Sequence, residues 1–286
     1  MRITVWGCRG SIPTPGPETV RYGGNTSCLE VVLADGCVLV FDAGTGIRPL
    51  GLELQRRGTK RIHLLLTHLH LDHLEGLRFF EPLWIEGVEI DIWGPPSPVL
   101  SLRDRIARSF SPPLFPVDLG DVPARVAFHD TPREPWTIGS ASVGAMFVVH
   151  PGPTVGYRVE SEGTTLAFIP DHEPAFAGSI VGRSADWISG SALALDADLL
   201  LHDSQYSEDE YAERVGWGHS SVADAVAFSD AVGARQLLLF HHDPLHSDAA
   251  LEALESHART LATNGAEPTL AHEGMVLELG DPARVS

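Results

Sequence analysis

The feature that most limits what this chain can become is a crowd of imidazoles behind one short apolar run. Residues 62–66, apolar but for His63, show no helical period, the mark of a buried strand. Thr67-His68-Leu69-His70-Leu71-Asp72-His73 follows at once, placing three imidazoles and one carboxylate within six positions. On an extended turn His68 and His70 can point the same way, while Asp72 and His73 fall where a helix would begin. Neutral imidazole and carboxylate are borderline-hard donors that suit zinc, and also iron or manganese. Four such groups behind one strand could hold parts of two adjacent metal centres, and Gly76 closes the segment.

The rest of the 286-residue chain has the apolar material such a strand needs, 43% against 20% charged, as in an ordinary soluble globular protein. A formal charge of −18, with no basic block denser than Arg56-Arg57 and Lys60-Arg61, argues against non-specific binding to nucleic acid or to an anionic membrane. No apolar run is long enough to span a bilayer, and Met1 to Trp6 reads as a strand rather than a signal peptide. Cys8, Cys28 and Cys37 are odd in number and form no Cys-x-x-Cys pair, so a reducing cytoplasm is the simplest location. Metal chemistry would then fall to the 14 histidines and the carboxylates.

Further strands are expected at 2–6, 28–33 and 37–41, the last two joined by an Ala34-Asp35-Gly36 turn. Others are expected at 88–93, 142–149, 154–159, 164–169, 198–202, 236–240 and 275–279. Helices are expected between Gly46 and Arg57, over 98–109, from Ser220 or Ser221 to Val232, and over 248–263. Residues 77–140 read as the least regular part, an insert whose Ser111–Pro116 loop is a lid, a subunit contact or satellite core. Strands in both halves, helices between them and no linker or repeat predict a single α/β domain over 1–286 with two packed sheets.

Three more candidates sit where a predicted strand runs out, the place where a rigid scaffold presents functional groups. They are His150, Asp171 and His241, the last with a rival in its neighbour His242.

The order His68-x-His70-x-Asp72-His73, then a single His, an Asp and a final His, resembles the ligand series of the metallo-β-lactamase superfamily. The resemblance covers most of the chain and implies an αββα four-layer sandwich, two mixed sheets flanked by helices. Carried over position by position, it implies that His68, His70 and His150 bind one divalent ion. Asp72, His73 and His241 would bind the second, with Asp171 bridging both. Zinc is the expected metal, with Mn2+ or Fe2+ as alternatives. Gly218-His219-Ser220-Ser221, then a helix, a strand and His241, looks like the ending of the ribonuclease Z branch. In that branch the motif's His is catalytic and binds no metal; here it matches His219, with Ser221 where Thr is common. Asp203 is expected to orient His219 or a ligand imidazole, and Asp42 to hydrogen-bond a ligand His. His172 and His202 are expected to be structural.

The resemblance further implies phosphodiester hydrolysis. Two divalent ions about 3.5–4 Å apart can lower the pKa of a shared water towards neutrality so that it attacks phosphorus. Asp72 would be both ligand and anchor for that water, and His219 the general acid at the leaving oxygen. Because a charge of −18 makes a poor platform for tRNA, the expected substrate is a small cyclic nucleotide or related cyclic phosphate. No stable nucleic-acid complex and no membrane are expected, and a homodimer is. A lactonase, a phosphotriesterase or a non-catalytic metal-containing nucleotide-binding protein would share the same ligands.

Overall fold

The apolar runs become two sheets of seven strands each, packed face to face. A computed structural model describes residues 1–176, 178, 180 and 183–280. The chain opens with β1 (Arg2–Gly7), β2 (Cys28–Val32), β3 (Val38–Phe41), α1 (Ile47–Arg57) and β4 (Arg61–Leu65). It continues through β5 (Glu89–Gly94), α2 (Leu102–Ala107) and β6 (Arg125–Asp130), which completes six strands of the first sheet. The second sheet begins with β7 (Trp136–Ile138), β8 (Ala141–Phe147), β9 (Val155–Ser161) and β10 (Thr164–Ile169). Then come α3 (Ser191–Ala194), β11 (Leu199–Asp203), α4 (Glu208–Ala212), α5 (Val222–Val232), β12 (Leu237–Phe240), α6 (Asp248–Leu261) and β13 (Pro268–Leu270). Finally β14 (Val276–Glu278) returns to the first sheet beside β1.

Both sheets follow one pairing rule. In the first, β14, β1, β2 and β3 pair antiparallel, and β3 to β6 pair parallel. In the second, β7 to β10 pair antiparallel, and β10 to β13 parallel. The central parallel strands β3, β11 and β12 are buried throughout, and accordingly read as continuous apolar runs rather than alternating ones, β11 up to its closing His202 and Asp203.

Between the sheets, Phe41 packs edge-on to Tyr157 and tilted against Phe168, with ring centroids 5.6 and 5.4 Å apart. Burying an apolar side chain of this size contributes roughly 1.5–3 kcal/mol. Outside the first sheet, Ile47, Leu50 and Leu54 of α1 and Leu102 and Ile106 of α2 cover Val40, Ile62 and Leu64. Outside the second, α3, α5 and α6 cover Ala167, Ile169, Leu200 and Leu239. The layers are therefore αββα.

Two local differences have simple causes. The helix expected over 98–109 begins only at Leu102, because the Ser101 side chain accepts from the Asp104 N–H and caps it there. Residues 77–140 are more regular than expected, adding β6 and β7 to the expected β5 and α2. In the loop after α2, Phe110 is buried and Phe115 packs against it, Phe79 and Trp84, while Leu114 is exposed.

Candidate metal centre

Strands that end together bring distant residues together. Asp42 directly follows β3, and the segment Thr67–His73 follows β4, its last three residues forming a single 3-10 turn. Asp171 lies two residues past β10, Asp203 closes β11 and His241 directly follows β12. The parallel strands thus present these groups from their carboxyl ends, where open α/β sheets collect ligands. His150 joins from beyond β8.

Two donor groups result. His68, His70 and His150 form one; Asp72, His73, Asp171 and His241 form the other, the donor atoms of each lying within 4.8 Å of one another. In the first, His150 Nε2 faces His70 Nδ1 at 3.1 Å. In the second, His73 Nε2 and His241 Nε2 are 3.3 Å apart, and each lies near Asp72 Oδ2, at 3.3 and 3.2 Å. Asp171 reaches both groups, with Oδ2 3.7 Å from His68 Nε2 and from His150 Nε2, and 3.4 Å from His241 Nε2. Ring nitrogens facing each other across a buried space leave a lone pair or a proton unsatisfied. His68 Nε2 is indeed buried without a hydrogen bond, a costly condition that a bound cation removes, while Asp171 Oδ1 lies 3.0 Å from His73 Nε2. The residues therefore fit two divalent ions.

A second ring of contacts orients the imidazoles. Asp42, fully buried at a left-handed φ of 59°, accepts from His73 Nδ1 at 2.7 Å and from the Thr67 N–H and hydroxyl. The Thr67 hydroxyl oxygen lies 3.1 Å from His68 Nδ1. Gly218 O accepts from His150 Nδ1 at 2.7 Å, and Gln205 Oε1 from His241 Nδ1 at 3.0 Å. A proton held on Nδ1 in this way leaves the Nε2 lone pair turned inward, the usual support of a metal-binding imidazole. His242 turns the other way, donating from Nε2 to Ala271 O at 2.9 Å, so His241 is the histidine that faces the centre.

Burial holds His68 and His70 below the ordinary imidazole range and brings His150 down to about 4, leaving three neutral donors. Burial would raise Asp72 and Asp171, yet the imidazoles around them, His73 and His241 among them, outweigh it and keep both well below the usual carboxylate range. Burial likewise opposes a charge on His73, but Asp171, Asp72 and Asp42 raise it well above its ordinary value. The second group is thus rich in negative charge, which a cation would neutralise as the His73 proton does.

His219 stands beside both groups. Its ring stacks on His241 at 4.9 Å and meets His150 edge-on at 5.0 Å, while Nδ1 donates to Asp203 Oδ2 at 2.8 Å. Burial alone would lower its pKa; Asp203 first, then Asp171 and Asp72, push it up to about 9. Asp203 is itself fixed by the N–H groups of His172, Gln205 and Ser220. His172 and His202 lie outside the donor groups, joined to each other by a 2.9 Å hydrogen bond.

Several contributors escaped the sequence reading. Gln205 holds His241, the Ser11 N–H donates to Asp72 Oδ2 at 2.7 Å, and buried Glu173 accepts from the N–H groups of Gly216 and Gly218. Gln205 alone had a legible signal, standing two residues past Asp203 at a strand end.

A family model described as a beta-lactamase superfamily domain matches residues 38–242, a span that contains every candidate ligand. Ribonuclease Z of Haloarcula marismortui is 29% identical, over 96% of this chain and 96% of its own length. The human tRNase Z, short form, shares the fold with a TM-score of 0.65 at 22% identity, covering 98% of this chain and 100% of its own. A diphosphatase from the PhnP family does so with a TM-score of 0.69 at 18% identity, over 98% of each chain. The ribonuclease Z relatives overturn the expectation of a small-molecule substrate with no nucleic-acid complex, which rested on the charge of −18. The physical reason is that net charge sums over the whole surface, whereas a phosphodiester is gripped locally by a few cations and donors. No helix among the described residues is long and apolar enough to cross a membrane. Because the family match spans more than half the chain, from β3 through the last candidate ligand, the chain belongs to the beta-lactamase superfamily.

Proposed function

We propose that this chain is a di-metal phosphodiesterase that hydrolyses an RNA phosphodiester, with zinc as its metal. The observation that carries the reading is the convergence of six donor residues around Asp171, with His219 held beside them by Asp203. Relatedness to ribonuclease Z along nearly the whole chain supports the substrate class, and the nitrogen and oxygen donor set suits zinc.

In this reading His68, His70 and His150 hold one ion and Asp72, His73 and His241 the other, with Asp171 reaching both. When bound, two divalent ions supply Lewis acidity, a lowered pKa for water and compensation for charge on the phosphoryl oxygens. Asp72, oriented by the Ser11 N–H, anchors the attacking water. His219 delivers a proton from Nε2 to the leaving oxygen, because Nδ1 is committed to Asp203, whose carboxylate favours the charged ring.

The test is hydrolysis by metal-quantified protein of bis(p-nitrophenyl) phosphate, a 3′-extended RNA, a cyclic mononucleotide and a lactone. Two metals per chain and chelator-sensitive cleavage of the first two substrates support the proposal. Cleavage of the cyclic mononucleotide without cleavage of RNA would replace the substrate class. A faster lactone reaction would move the chemistry to carbonyl carbon, and two metals with no turnover would leave a binding protein.

A further inference from the structure

A pocket of about 330 Å³ opens directly beside the candidate metal centre, at the small end of the range for ligand sites. His68 and His70 form one wall, the segment leading into and through α2 a second, and Pro151–Pro153 a third. Leu69, Leu100 and the two prolines make much of the lining apolar, the kind of surface that takes a base or ribose face. Two guanidinium groups complete it, and they differ. Arg105 is tied down, donating to Pro95 O from Nη2, which also lies 3.8 Å from Asp130. Arg108 is exposed, and among the described residues no carboxylate or carbonyl engages its guanidinium. By contrast Arg56, Arg57, Arg125, Arg158 and Arg235 are each paired with a carboxylate. In a chain of charge −18, a cation left without a carboxylate beside this centre is placed for an incoming anion.

We infer that this pocket holds the nucleotide flanking the scissile phosphodiester, with the Arg108 guanidinium on that nucleotide's own phosphate. The inference rests on the phosphodiesterase reading and sharpens it. A cyclic mononucleotide has one phosphate, which the metal centre takes, and so offers Arg108 nothing. A polynucleotide brings a second phosphate one nucleotide away. Arg108 is therefore a specificity-determining contact that favours a strand over a cyclic monomer.

The experiment compares wild type, Arg108→Ala and Arg108→Lys in equilibrium binding of adenosine 3′,5′-bisphosphate and adenosine 5′-monophosphate. Wild type should prefer the bisphosphate by about tenfold or more, as a charge-assisted contact implies. Arg108→Ala should erase the preference and Arg108→Lys retain part of it. In turnover, Arg108→Ala should raise KM for a short RNA by about tenfold while kcat for that RNA changes less than about twofold. No bisphosphate preference in wild type, or an equal preference in Arg108→Ala, overturns the inference. Wild-type hydrolysis of bis(p-nitrophenyl) phosphate is measured alongside. Its absence sinks the phosphodiesterase reading, whereas its presence with an unaltered binding ratio sinks the pocket assignment alone.

Discussion

The proton on His219 is governed by its neighbours rather than by its own ring. Burial works against the charged form, and the Asp203 carboxylate at 2.8 Å, with Asp171 and Asp72 beyond it, reverses the outcome and moves the pKa to about 9. A general acid must be protonated to act, so kcat/KM should fall as pH rises through its pKa, at or below about 9 once cations join the site. Asp203→Asn removes the leading stabiliser of the charge, and the alkaline limb should move towards the ordinary imidazole value. A limb that stays in place in a pH-rate profile would contradict this role. His219→Ala should keep two metals by elemental analysis and lose about 10²–10⁴-fold in kcat. Asp72→Ala should lose turnover and part of the metal together, because that side chain is also a donor of the second group. At this scale the donors were legible, since each is a chemically distinctive residue in the signature or at a strand end. Of their supports, the carboxylates Asp42 and Asp203 were legible at strand ends, and the other contributors' pairings were not. Ser11 reaches Asp72 across 61 positions and Gln205 reaches His241 across 36, and no local pattern encodes such pairings.

Between α4 and α5 a short loop holds two parts of the site at once. Glu173 accepts from the Gly216 and Gly218 N–H groups, Gly218 O holds His150 Nδ1, and His219 is the next residue. Gly218 adopts φ +91°, and a Cβ there would fall 2.2 Å from Pro151 Cδ and 2.5 Å from His150 Nδ1. Gly218→Ala is therefore doubly disfavoured, by backbone conformation and by collision with a donor side chain. It should weaken metal binding by about 10–100-fold, the usual effect of disturbing a ligand's support. The loss should fall on the ion held by His68, His70 and His150, leaving nearer one metal per chain than two. Full occupancy of both sites, by titration against a chromophoric chelator, would refute the coupling of loop to ligand. Elements with a buried, continuous apolar run, such as β3, β4, β11 and β12, were readable from sequence. The strands missed, β6, β7 and β13, all lie at sheet edges, where half-exposed strands carry polar residues and proline, and the missed helices α3 and α4 are only four and five residues long.

Across the whole molecule, the repeated pairing pattern of the two sheets brings six chain segments to one rim, a non-local result that apolar periodicity cannot announce. The same long-range convergence buries an unusual number of imidazoles, and this gives the protein a definite response to acid. Burial depresses His202 to about 4 and His242 to about 3, and holds His172 well below its ordinary value, so all three are neutral in the fold. In the unfolded chain they titrate near 6.5. A depressed folded pKa means that stability is complete above 6.5 and is lost as pH falls towards the folded value, because the unfolded state then binds more protons. His73 and His219, whose pKa values are raised, are protonated in both states well below 6.5 and contribute no slope there. Each depressed imidazole should therefore cost about 1.4 kcal/mol per pH unit between pH 6 and 4. His242→Gln isolates one of them, since the amide can still donate to Ala271 O but cannot take up a proton. The variant is expected to be less stable at pH 7 yet lose stability less steeply, by about one proton, when urea midpoints are followed from pH 6 to pH 4. An unchanged slope would mean that His242 is not held neutral by its burial, and that the acid sensitivity of the fold resides in its other buried imidazoles.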